Sequence, residues 1–389
     1  MTGNKNNIYF DNAATSWPKP EAVYRSAEIH MRSAFGNPGR SGHTRTLAAD
    51  RLIYSVRERM ANFFNIADPA RIAFTLNATD ALNMAIKGLL EKGDHVLYTA
   101  MEHNAVLRPL ARLKTEGTIE TTMIPCSEEG MPDLDFLENA YRPSTRLLII
   151  NHASNVVGTI APARKMIESA HQKGVPVLVD SAQSAGCIKI DIQADNIDLL
   201  AFTGHKGLLG PTGTGGLYVR PGLGLKPLRE GGTGSQSDLE FQPENMPERL
   251  EAGTLNSTGL AGLLAGINYI QERGLGNIHE YEKKIRAYLY ERLFDIKGIN
   301  IFGPPEADRC SCVISFNLGD TDCGSVGHIL ESRYGIFCRT GLHCAPYAHR
   351  SIGTFPAGTV RISPGIFTTT NDIDYLIKAL KEIATLAGI

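Results

Sequence analysis

The chain has 389 residues, of which 42% are hydrophobic, so it exceeds the size that one hydrophobic core usually serves and predicts two domains. Its 39 basic and 41 acidic residues leave a formal net charge of −2, which gives no indication of a nucleic-acid or membrane-surface partner and favours a small-molecule substrate. Seven cysteines without a paired framework, an N-terminus without a signal-peptide pattern and the lack of a membrane-spanning apolar run predict a cytoplasmic protein.

In chain order, short apolar runs alternate with segments of helical periodicity, which predicts an α/β domain with a mostly parallel sheet. One helix is predicted to begin near Asp80, where free backbone donors and the Thr79 hydroxyl would suit a phosphate group. An ordinary N-cap role for Thr79 is an equally open interpretation. The strand-like runs are residues 72–74, 95–98, 147–150, 177–180, 199–202 and 216–219.

The second half of the chain is predicted to contain a loop, a long helical region and a smaller C-terminal α/β unit. Residues 225–247 are rich in Gly, Pro and polar residues and are predicted to form a loop, followed by a helical region from 258 to about 294. The domain boundary is expected inside that helical region, and the strand-like runs 312–316 and 359–362 then belong to a smaller C-terminal α/β unit. A final helix is predicted with Asn371 as its N-cap. Its apolar stripe is Ile373, Leu376, Ile377, Leu380 and Ile383.

The motif TGHK at residues 203–206 is the most informative feature of the chain. Lys206 leaves a buried strand at the sheet edge, where burial and a neighbouring histidine would disfavour its ammonium form. A free amine of this kind forms a Schiff base with an aldehyde. Asp180 ends the buried run 177–180, and a carboxylate and a lysine at two strand ends are the partners that pyridoxal phosphate requires. We therefore predict a pyridoxal phosphate site, although a lone lysine at a strand end is usually a solvated loop residue.

Seven short segments occur in a fixed order over nearly the whole chain. They are residues 8–15 (IYFDNAAT), 102–106 (EHNAV), 154–155 (SN), 179–183 (VDSAQ), 203–206 (TGHK), 251–254 (EAGT) and 339–344 (RTGLHC). Together they resemble the cysteine desulfurases, which are pyridoxal phosphate-dependent enzymes of fold-type I, similar to class V aminotransferases. The last segment is most similar to the Suf-type (group II) branch, which includes selenocysteine lyases. Many members of that branch carry two consecutive histidines before the cysteine, whereas this chain has Leu342 and His343.

The resemblance implies an α/β fold-type I transferase in which a large domain with a mostly parallel sheet binds the cofactor. Residues 1–15 would form an N-terminal arm that packs on the small domain. Residues 16–265 would form the large domain, and residues 266–389 the smaller C-terminal α/β domain that carries the catalytic cysteine loop. The leucine at position 342 leaves open which group protonates intermediates.

The resemblance also implies roles in binding the cofactor. Lys206 would hold pyridoxal 5′-phosphate covalently and carry protons, and His103 would stack on its ring. Asp180 would face the ring nitrogen, with a helix N-cap as the structural alternative. The remaining contacts would be Asn155 and Gln183 on the phenolic oxygen, and Thr79, Thr203 and His205 on the phosphate. An asparagine in a turn and a histidine of the core are the alternatives for Asn155 and His205.

Thr254 corresponds to a residue that, in this family, reaches the phosphate group of the neighbouring subunit. The resemblance therefore implies a homodimer in which each site needs two chains.

Cys344 is the residue that would decide the chemistry. Its thiolate would attack the substrate sulfur, leaving a persulfide on the enzyme and alanine as product, and Arg339 and His343 would supply positive charge. A free buried cysteine is the commoner fate of this residue type. The other six cysteines, Cys126, Cys187, Cys310, Cys312, Cys323 and Cys338, are predicted to be such fillers, and no spacing matches a zinc site.

Substrate-binding residues also follow from the resemblance. Arg361 would clamp the substrate carboxylate, since a guanidinium binds a carboxylate in bidentate fashion, and the alternative is an outward strand arginine in a surface ion pair. Asn155 and Arg339 would also contact the substrate, and His43 would line the entrance.

Three functions remain open at this level. The first is a cysteine desulfurase that converts L-cysteine to L-alanine and passes the persulfide sulfur from Cys344 to an acceptor protein. The second is another class V enzyme, a selenocysteine lyase, C–S lyase or aminotransferase, in which Cys344 is not the sulfur acceptor. The third is a non-catalytic α/β binding module. Selenocysteine and cysteine share the same amino-acid handle, so the residues do not choose between them.

Overall fold

The computed structural model describes residues 7–33, 36 and 43–388. The helices in this part are α1 (Glu21–Ser33), α2 (Thr44–Phe64), α3 (Ala78–Leu89), α4 (Asn104–Thr115), α5 (Leu134–Ala140), α6 (Ala163–Gln172), α7 (Ser257–Arg273), α8 (Leu275–Phe294), α9 (Cys323–Tyr334), α10 (Pro346–Ser351) and α11 (Thr370–Leu386). The strands are β1 (Ile8–Tyr9), β2 (Ile72–Thr75), β3 (Asp94–Thr99), β4 (Ile119–Ile124), β5 (Thr145–Asn151), β6 (Val177–Asp180), β7 (Leu199–Thr203), β8 (Gly215–Val219), β9 (Ile299–Phe302), β10 (Ile314–Leu318), β11 (Ile336–Phe337), β12 (Arg339–Gly341) and β13 (Thr359–Ile362).

The main sheet has seven strands in the order β2-β8-β7-β6-β5-β3-β4. All its strands run in one direction except β8, which is antiparallel to both of its neighbours. Successive residues of β5 enter different cores, with Leu148 and Ile150 on one face of the sheet and Leu147 and Ile149 on the other. This is the pattern of a sheet covered on both faces, and it confirms the α/β architecture with a mostly parallel sheet.

The carboxyl ends of the parallel strands meet at one edge of this sheet, and polar residues collect there. His103 follows β3, Asn151 ends β5, Asp180 ends β6 and Thr203 ends β7. In open α/β sheets this edge is where ligands bind. The chain order of the strands therefore gathers residues that are far apart in the sequence.

The C-terminal part contains a four-stranded antiparallel sheet of order β12-β13-β10-β9, with α8, α9 and α11 contributing to its core. The N-terminal segment belongs to this part by its pairing, since β1 runs parallel to β11 with Ile8 opposite Ile336. Asp11 then forms a bridge with Ser363, beyond the end of β13. The division at residues 15 and 265 stays a prediction. Within the described residues, no helix is both long and apolar enough to cross a membrane.

One predicted helix limit is wrong, and one predicted helical region contains a break. The last helix is capped by Thr369, not Asn371, because Thr369 and Asp372 form a reciprocal capping box in which each side chain accepts from the backbone of the other. The helical region after the loop is broken at Gly274, whose φ of 81° ends α7 and starts α8.

Two further boundaries differ from the sequence pattern. β10 starts two residues later than predicted, because the backbone N–H of Val313 donates to the carbonyl of Ser311 in the preceding loop and not to a neighbouring strand. Helix α3 is capped by Asn77, whose side chain accepts from the backbone N–H of Asp80. Thr79 is therefore not the N-cap but lies in the first helical turn.

Candidate active site

A cavity of about 210 Å³, which we call the central cavity, opens at the edge where the parallel strands end. It brings together eight of the nine residues predicted to bind the cofactor. These are Thr79, His103, Asn155, Asp180, Gln183, Thr203, His205 and Lys206. Asn77, Ala78 and Asn151 also line it. The individual roles of these residues stay predictions.

Lys206 lies in a tightly packed turn after β7. A Cβ on Gly204 would lie 2.1 Å from the Thr214 hydroxyl oxygen, and a Cβ on Gly207 would lie 2.5 Å from the Ala185 carbonyl oxygen. Only glycine allows these approaches, because such distances are far inside normal contact. The glycines on either side of the motif therefore fix the path of the chain around Lys206.

The amine of Lys206 is electrostatically coupled to several groups of the site. Burial lowers the pKa of Lys206 from 10.5 to about 8, Asp180 acts in the opposite direction, and Arg361 and Arg339 lower it further. The expected contribution from a charged neighbouring histidine is wrong, because burial lowers the pKa of His205 to about 4 and leaves that ring neutral. Two arginines from the C-terminal part perform that function instead.

Asp180 is buried at the end of β6, and one of its carboxylate oxygens accepts from the backbone N–H of Ala182 at 2.9 Å. Burial raises the pKa of Asp180, while that hydrogen bond and the charge of Lys206 lower it. The alternative of a helix N-cap is wrong, because turns rather than a helix follow β6. The second carboxylate oxygen remains available for a cationic group.

Glu102 is a buried carboxyl group that the sequence reasoning missed. One of its oxygens accepts from the Thr99 hydroxyl and from the backbone N–H of Asn151, both at 2.7 Å, and the other oxygen has no partner among the described residues. Burial and the charge of Asp180 raise the pKa of Glu102 to about 8. It therefore ties the ends of β3 and β5 together as a neutral acid at pH 7. The signal was present, since Glu102 follows a buried strand as Asp180 does.

Four buried polar atoms of residues that line the central cavity lack hydrogen-bond partners among the described residues. They are Oδ1 of Asn151, Oδ1 of Asn155, the Thr203 hydroxyl oxygen and Nδ1 of His205, and the last two belong to the TGHK motif. The carbonyl of His205 accepts from the backbone N–H of Ser16 at 3.0 Å, which holds this residue in place. Buried polar atoms are normally paired, so those of Thr203 and His205 indicate a polar ligand next to the N-terminus of α3.

His103 is the N-cap of α4, and its Nδ1 accepts from the backbone N–H of Ala105 at 3.0 Å. Burial lowers the pKa of His103 to about 4, with Lys206 as the next cause, so the ring is neutral. Because Nδ1 accepts a hydrogen bond, its proton is on Nε2. The cap therefore sets the tautomer and the position of the ring at the wall of the cavity.

The two side-chain amides of the site already have protein partners. Asn155 donates through Nδ2 to the carbonyl of His343 at 2.7 Å, while its Oδ1 has no partner among the described residues. Gln183 donates through Nε2 to the carbonyl of Ala13 at 2.9 Å. Asn155 is thus more than a turn residue, because it connects the central cavity to the loop that carries Cys344.

Arg361 is fully buried in β13, so the alternative of a surface arginine is wrong. It donates through Nη2 to Asp11 at 2.7 Å and through Nη1 to the carbonyl of Asn155 at 2.9 Å, and its Nε has no partner among the described residues. Arg339 lies directly opposite on β12. The two guanidinium groups create a strongly positive region, and Asp11, which sequence reasoning missed, compensates one of the charges.

Cys344 is the exposed member of the seven free cysteines. Its Sγ lies 3.4 Å from Nη2 of Arg339, and its carbonyl accepts from the backbone N–H of Asn104 at 2.8 Å. The expected positive charge on His343 is wrong: burial, with Arg361 as the next cause, lowers the pKa of that histidine to about 2. His343 and Cys344 both have left-handed backbone conformations, with φ of 49° and 59°.

The model of the aminotransferase class-V family matches residues 8–376. A probable cysteine desulfurase of Methanothermobacter thermautotrophicus is 35% identical over 98% of this chain and 95% of its own length. A cysteine desulfurase of Cronobacter sakazakii is 36% identical over 98% of this chain and 94% of its own length. The chain belongs to the cysteine desulfurase family.

Solved structures of cysteine desulfurases have the same fold. The apo enzyme from Thermococcus onnurineus superposes with a TM-score of 0.91 at 32% identity, covering 97% of this chain and 94% of that one. The CsdA enzyme of Escherichia coli, solved with an S-sulfonic acid, gives a TM-score of 0.87 at 29% identity, covering 98% and 95%. The family confirms the resemblance seen in the sequence, while the assignment to the Suf-type branch stays a prediction.

Five residues that the family resemblance assigned to the site do not line the central cavity, namely Cys344, Arg339, Arg361, Thr254 and His43. Thr254 is exposed, three residues beyond Glu251, which is held by a buried bidentate ion pair with Arg57. His43 is an exposed N-cap of α2 that accepts from the backbone N–H of Thr46. A role for Thr254 across a subunit interface stays a prediction, as does a role for His43 at the entrance.

The remaining six cysteines behave as protonated thiols in this desulfurase. Burial raises the pKa of each of them, to about 12 for Cys126 and Cys338 and about 11 for Cys310. Cys187, Cys312 and Cys323 are shifted in the same direction by the same cause. In the part of the chain that the structure describes, no group of three or more Cys, His, Asp and Glu residues is arranged to hold a metal ion.

Proposed function

We propose that this chain is a pyridoxal 5′-phosphate-dependent cysteine desulfurase that forms a persulfide on Cys344. The observation that carries the proposal is one arrangement of four residues. Lys206 has a pKa lowered to about 8 and is coupled to the buried Asp180, and the exposed Cys344 contacts Arg339, which is coupled to the same lysine. A non-catalytic binding module has no need of such a combination.

The residues of the central cavity fit the cofactor. The N-terminus of α3, the Thr203 hydroxyl and Nδ1 of His205 offer unpaired groups for a phosphate, and Asp180 offers a carboxylate for a protonated ring nitrogen. Lys206 would hold the aldehyde carbon. Pyridoxal phosphate, when bound, supplies the electron sink that weakens the bonds of the substrate amino acid.

The chain's own residues then perform three tasks. Arg361 and Arg339 bind and orient the substrate carboxylate, since they lie opposite each other on neighbouring strands and a guanidinium group binds a carboxylate in bidentate fashion. The amine of Lys206 takes up and returns protons at Nζ, because a pKa near 8 permits both states at neutral pH. His103 and Asn155 hold the walls of the cavity in fixed orientations.

Cys344 carries out the sulfur transfer step. Its Sγ attacks the sulfur of L-cysteine, the carbon–sulfur bond breaks, and a sulfur–sulfur bond forms. The products are L-alanine and one persulfide on the enzyme, so the atoms balance without an external oxidant. Arg339, 3.4 Å from Sγ, stabilises negative charge on the attacking thiolate.

Replacing Cys344 tests this proposal against the other class V activities. Cys344→Ala should keep the cofactor spectrum but lose alanine formation and sulfide release from L-cysteine. Cys338→Ala, in the same segment but with a partly buried thiol whose pKa is raised to about 12, should keep both activities and serves as the matched control. Unchanged turnover by Cys344→Ala would favour a lyase or aminotransferase in which the thiol has no role.

A homodimer is part of the proposal, with Thr254 reaching the phosphate group in the partner's site. Its support is the exposed position of Thr254 on a loop that the Arg57–Glu251 ion pair holds firmly. Lys206→Ala and Thr254→Ala chains should each have low activity alone. Mixed dimers should regain activity, because the intact lysine of one chain meets the intact threonine of the other. No recovery on mixing would contradict shared sites.

An acceptor protein completes the cycle, because the persulfide on Cys344 must leave before the next turnover. Steady-state turnover should then rise when a thiol acceptor is supplied. The support for an acceptor of protein size is the exposure of Cys344 at the surface.

A further inference from the structure

A surface groove of about 370 Å³ adjoins the central cavity and shares Thr79, His103 and Ala105 with it. We call it the basic groove. Helices α3 and α4 contribute its walls, and Cys344 also lines it. Its polar lining includes Asn83, Lys87, Asn104, Arg108 and Arg112.

The walls follow directly from helical spacing. On α3, Thr79, Asn83 and Lys87 are four residues apart, and on α4 the same spacing relates Asn104, Arg108 and Arg112. Residues at this spacing lie on one face of a helix. Because α3 and α4 pack against each other, the two polar stripes lie side by side and form the groove.

The groove is positive although the whole chain has a net charge of −2. Lys87, Arg108 and Arg112 are all exposed, and among the described lining residues none is acidic. Arg112 pairs with the exposed Glu116 at 2.7 Å, a contact that solvent weakens. Lys87 and Arg108 have no ion-pair partner in the described part of the chain, so their charges are available.

Cys344 is fixed relative to these charges. The backbone N–H of Asn104, the first residue of the α4 stripe, donates to the carbonyl of Cys344 at 2.8 Å. The neighbouring carbonyl of His343 is held from the other side by Asn155. The loop and the groove are therefore one connected surface, and Cys344 lines the groove together with residues that also line the central cavity.

We propose that the basic groove is the docking surface for the protein that accepts sulfur from Cys344, and that this partner is acidic around its acceptor thiol. The inference rests on the proposed function. Acidic side chains beside a thiol hold it in the protonated form, and Lys87 and Arg108 would offset that effect on docking. Charge complementarity of this kind also speeds the encounter of two proteins.

The transfer step needs no further reagent. The acceptor thiolate attacks the outer sulfur of the Cys344 persulfide, a new sulfur–sulfur bond forms, and the original one breaks. The electron pair of the broken bond returns to Sγ of Cys344, which leaves as a thiolate next to Arg339. The acceptor departs as a persulfide, so one persulfide is consumed and one is formed.

Synthetic peptides provide the probe, each with a single cysteine flanked by glutamates, serines or lysines. The holoenzyme is first loaded with sulfur from L-cysteine, and transfer to each peptide is then followed by mass spectrometry. The acidic peptide should react fastest at low salt, by about tenfold over the basic one, and added salt should remove the difference.

Charge reversal locates the effect in the groove. Lys87→Glu and Arg108→Glu should each reduce or reverse the preference for the acidic peptide, while turnover with a small neutral thiol stays unchanged. Lys165→Glu is the matched control, because Lys165 is an exposed lysine on α6 beside a different cavity. This control should retain the preference.

The outcomes separate the two proposals. A wild-type enzyme that forms no persulfide would overturn the proposed function and this inference with it. Normal loading with equal transfer rates to all three peptides, or a Lys87→Glu variant that keeps the preference, would overturn the docking surface alone. A change in sedimentation of Lys87→Glu would assign the groove to contact between two copies of this chain and also overturn the docking proposal.

Discussion

The ion pair between Asp11 and Arg361 is the sharpest test of how the two ends of the chain meet. The side chain of Arg361 is 1% exposed and that of Asp11 is 21% exposed, and their polar atoms are 2.7 Å apart. Among the described residues, Asp11 is the carboxylate that pairs with this arginine. Asp11→Asn preserves the shape of the side chain but leaves the buried guanidinium without its counter-charge.

The magnitude follows from the burial of each partner. Breaking a fully buried ion pair by removing one member costs about 3–5 kcal/mol. Because Asp11 is partly exposed, and because asparagine still offers an oxygen as acceptor, we expect Asp11→Asn to lower the free energy of unfolding by about 2–3 kcal/mol. The control is Asp308→Asn, which removes the exposed partner of Lys283 and should cost less than about 1 kcal/mol.

Urea denaturation measures both variants with two signals. Circular dichroism reports the whole chain, and Trp17, the only tryptophan, reports the N-terminal segment, since its backbone N–H donates to the Asn12 side chain. Loss of stability by Asp11→Asn no larger than that of Asp308→Asn would refute the argument that Arg361 depends on this carboxylate.

Three further predictions follow from the site. Burial raises the pKa of Glu102 from 4.5 to about 8, so the free energy of unfolding of the wild type should fall as the pH rises between these two values, whereas that of Glu102→Gln should not share this fall. Urea denaturation at several pH values measures both proteins. Parallel pH profiles of the two would contradict the prediction. Gly207→Ala should lower the free energy of unfolding by about 1–3 kcal/mol, because the added Cβ would lie 2.5 Å from the Ala185 carbonyl oxygen. The control is Gly276→Ala, whose added Cβ would have no atom within 4 Å. Equal stabilities of the two variants would count against the tight packing around Gly207. In the cofactor-free protein, labelling of Lys206 by formaldehyde and cyanoborohydride should rise with a midpoint near pH 8 and then level off, as its pKa requires; a rate that still climbs towards pH 10.5 would show an unperturbed amine.

Much of the large sheet was predictable because its strands are continuous apolar runs that end in polar residues. Asp180 and Lys206 follow from this rule, since each ends a buried strand or the turn after it. The same rule applied to β3 would have found Glu102. The edge of the sheet could thus be read from local patterns alone.

The contacts between distant segments were not predictable in the same way. Asp11 and Arg361 are 350 positions apart, and no local pattern states which of 41 acidic residues pairs with a buried arginine. The charge of His343 was misjudged for a related reason, because its ionisation depends on burial and on the nearby Arg361. Asn371 was predicted to cap the last helix, but the capping box formed by Thr369 and Asp372 places the cap two residues earlier.

A single turnover under anaerobic conditions tests whether Cys344 receives the sulfur of L-cysteine. The holoenzyme is mixed with one equivalent of L-cysteine per active site and no other thiol or reductant, alanine is quantified, and every cysteine-containing peptide is examined by mass spectrometry. The account predicts one alanine per active site and one added sulfur atom, located on Cys344. Alanine formed without added sulfur at this position, or sulfur found instead on another cysteine such as Cys338, would contradict it.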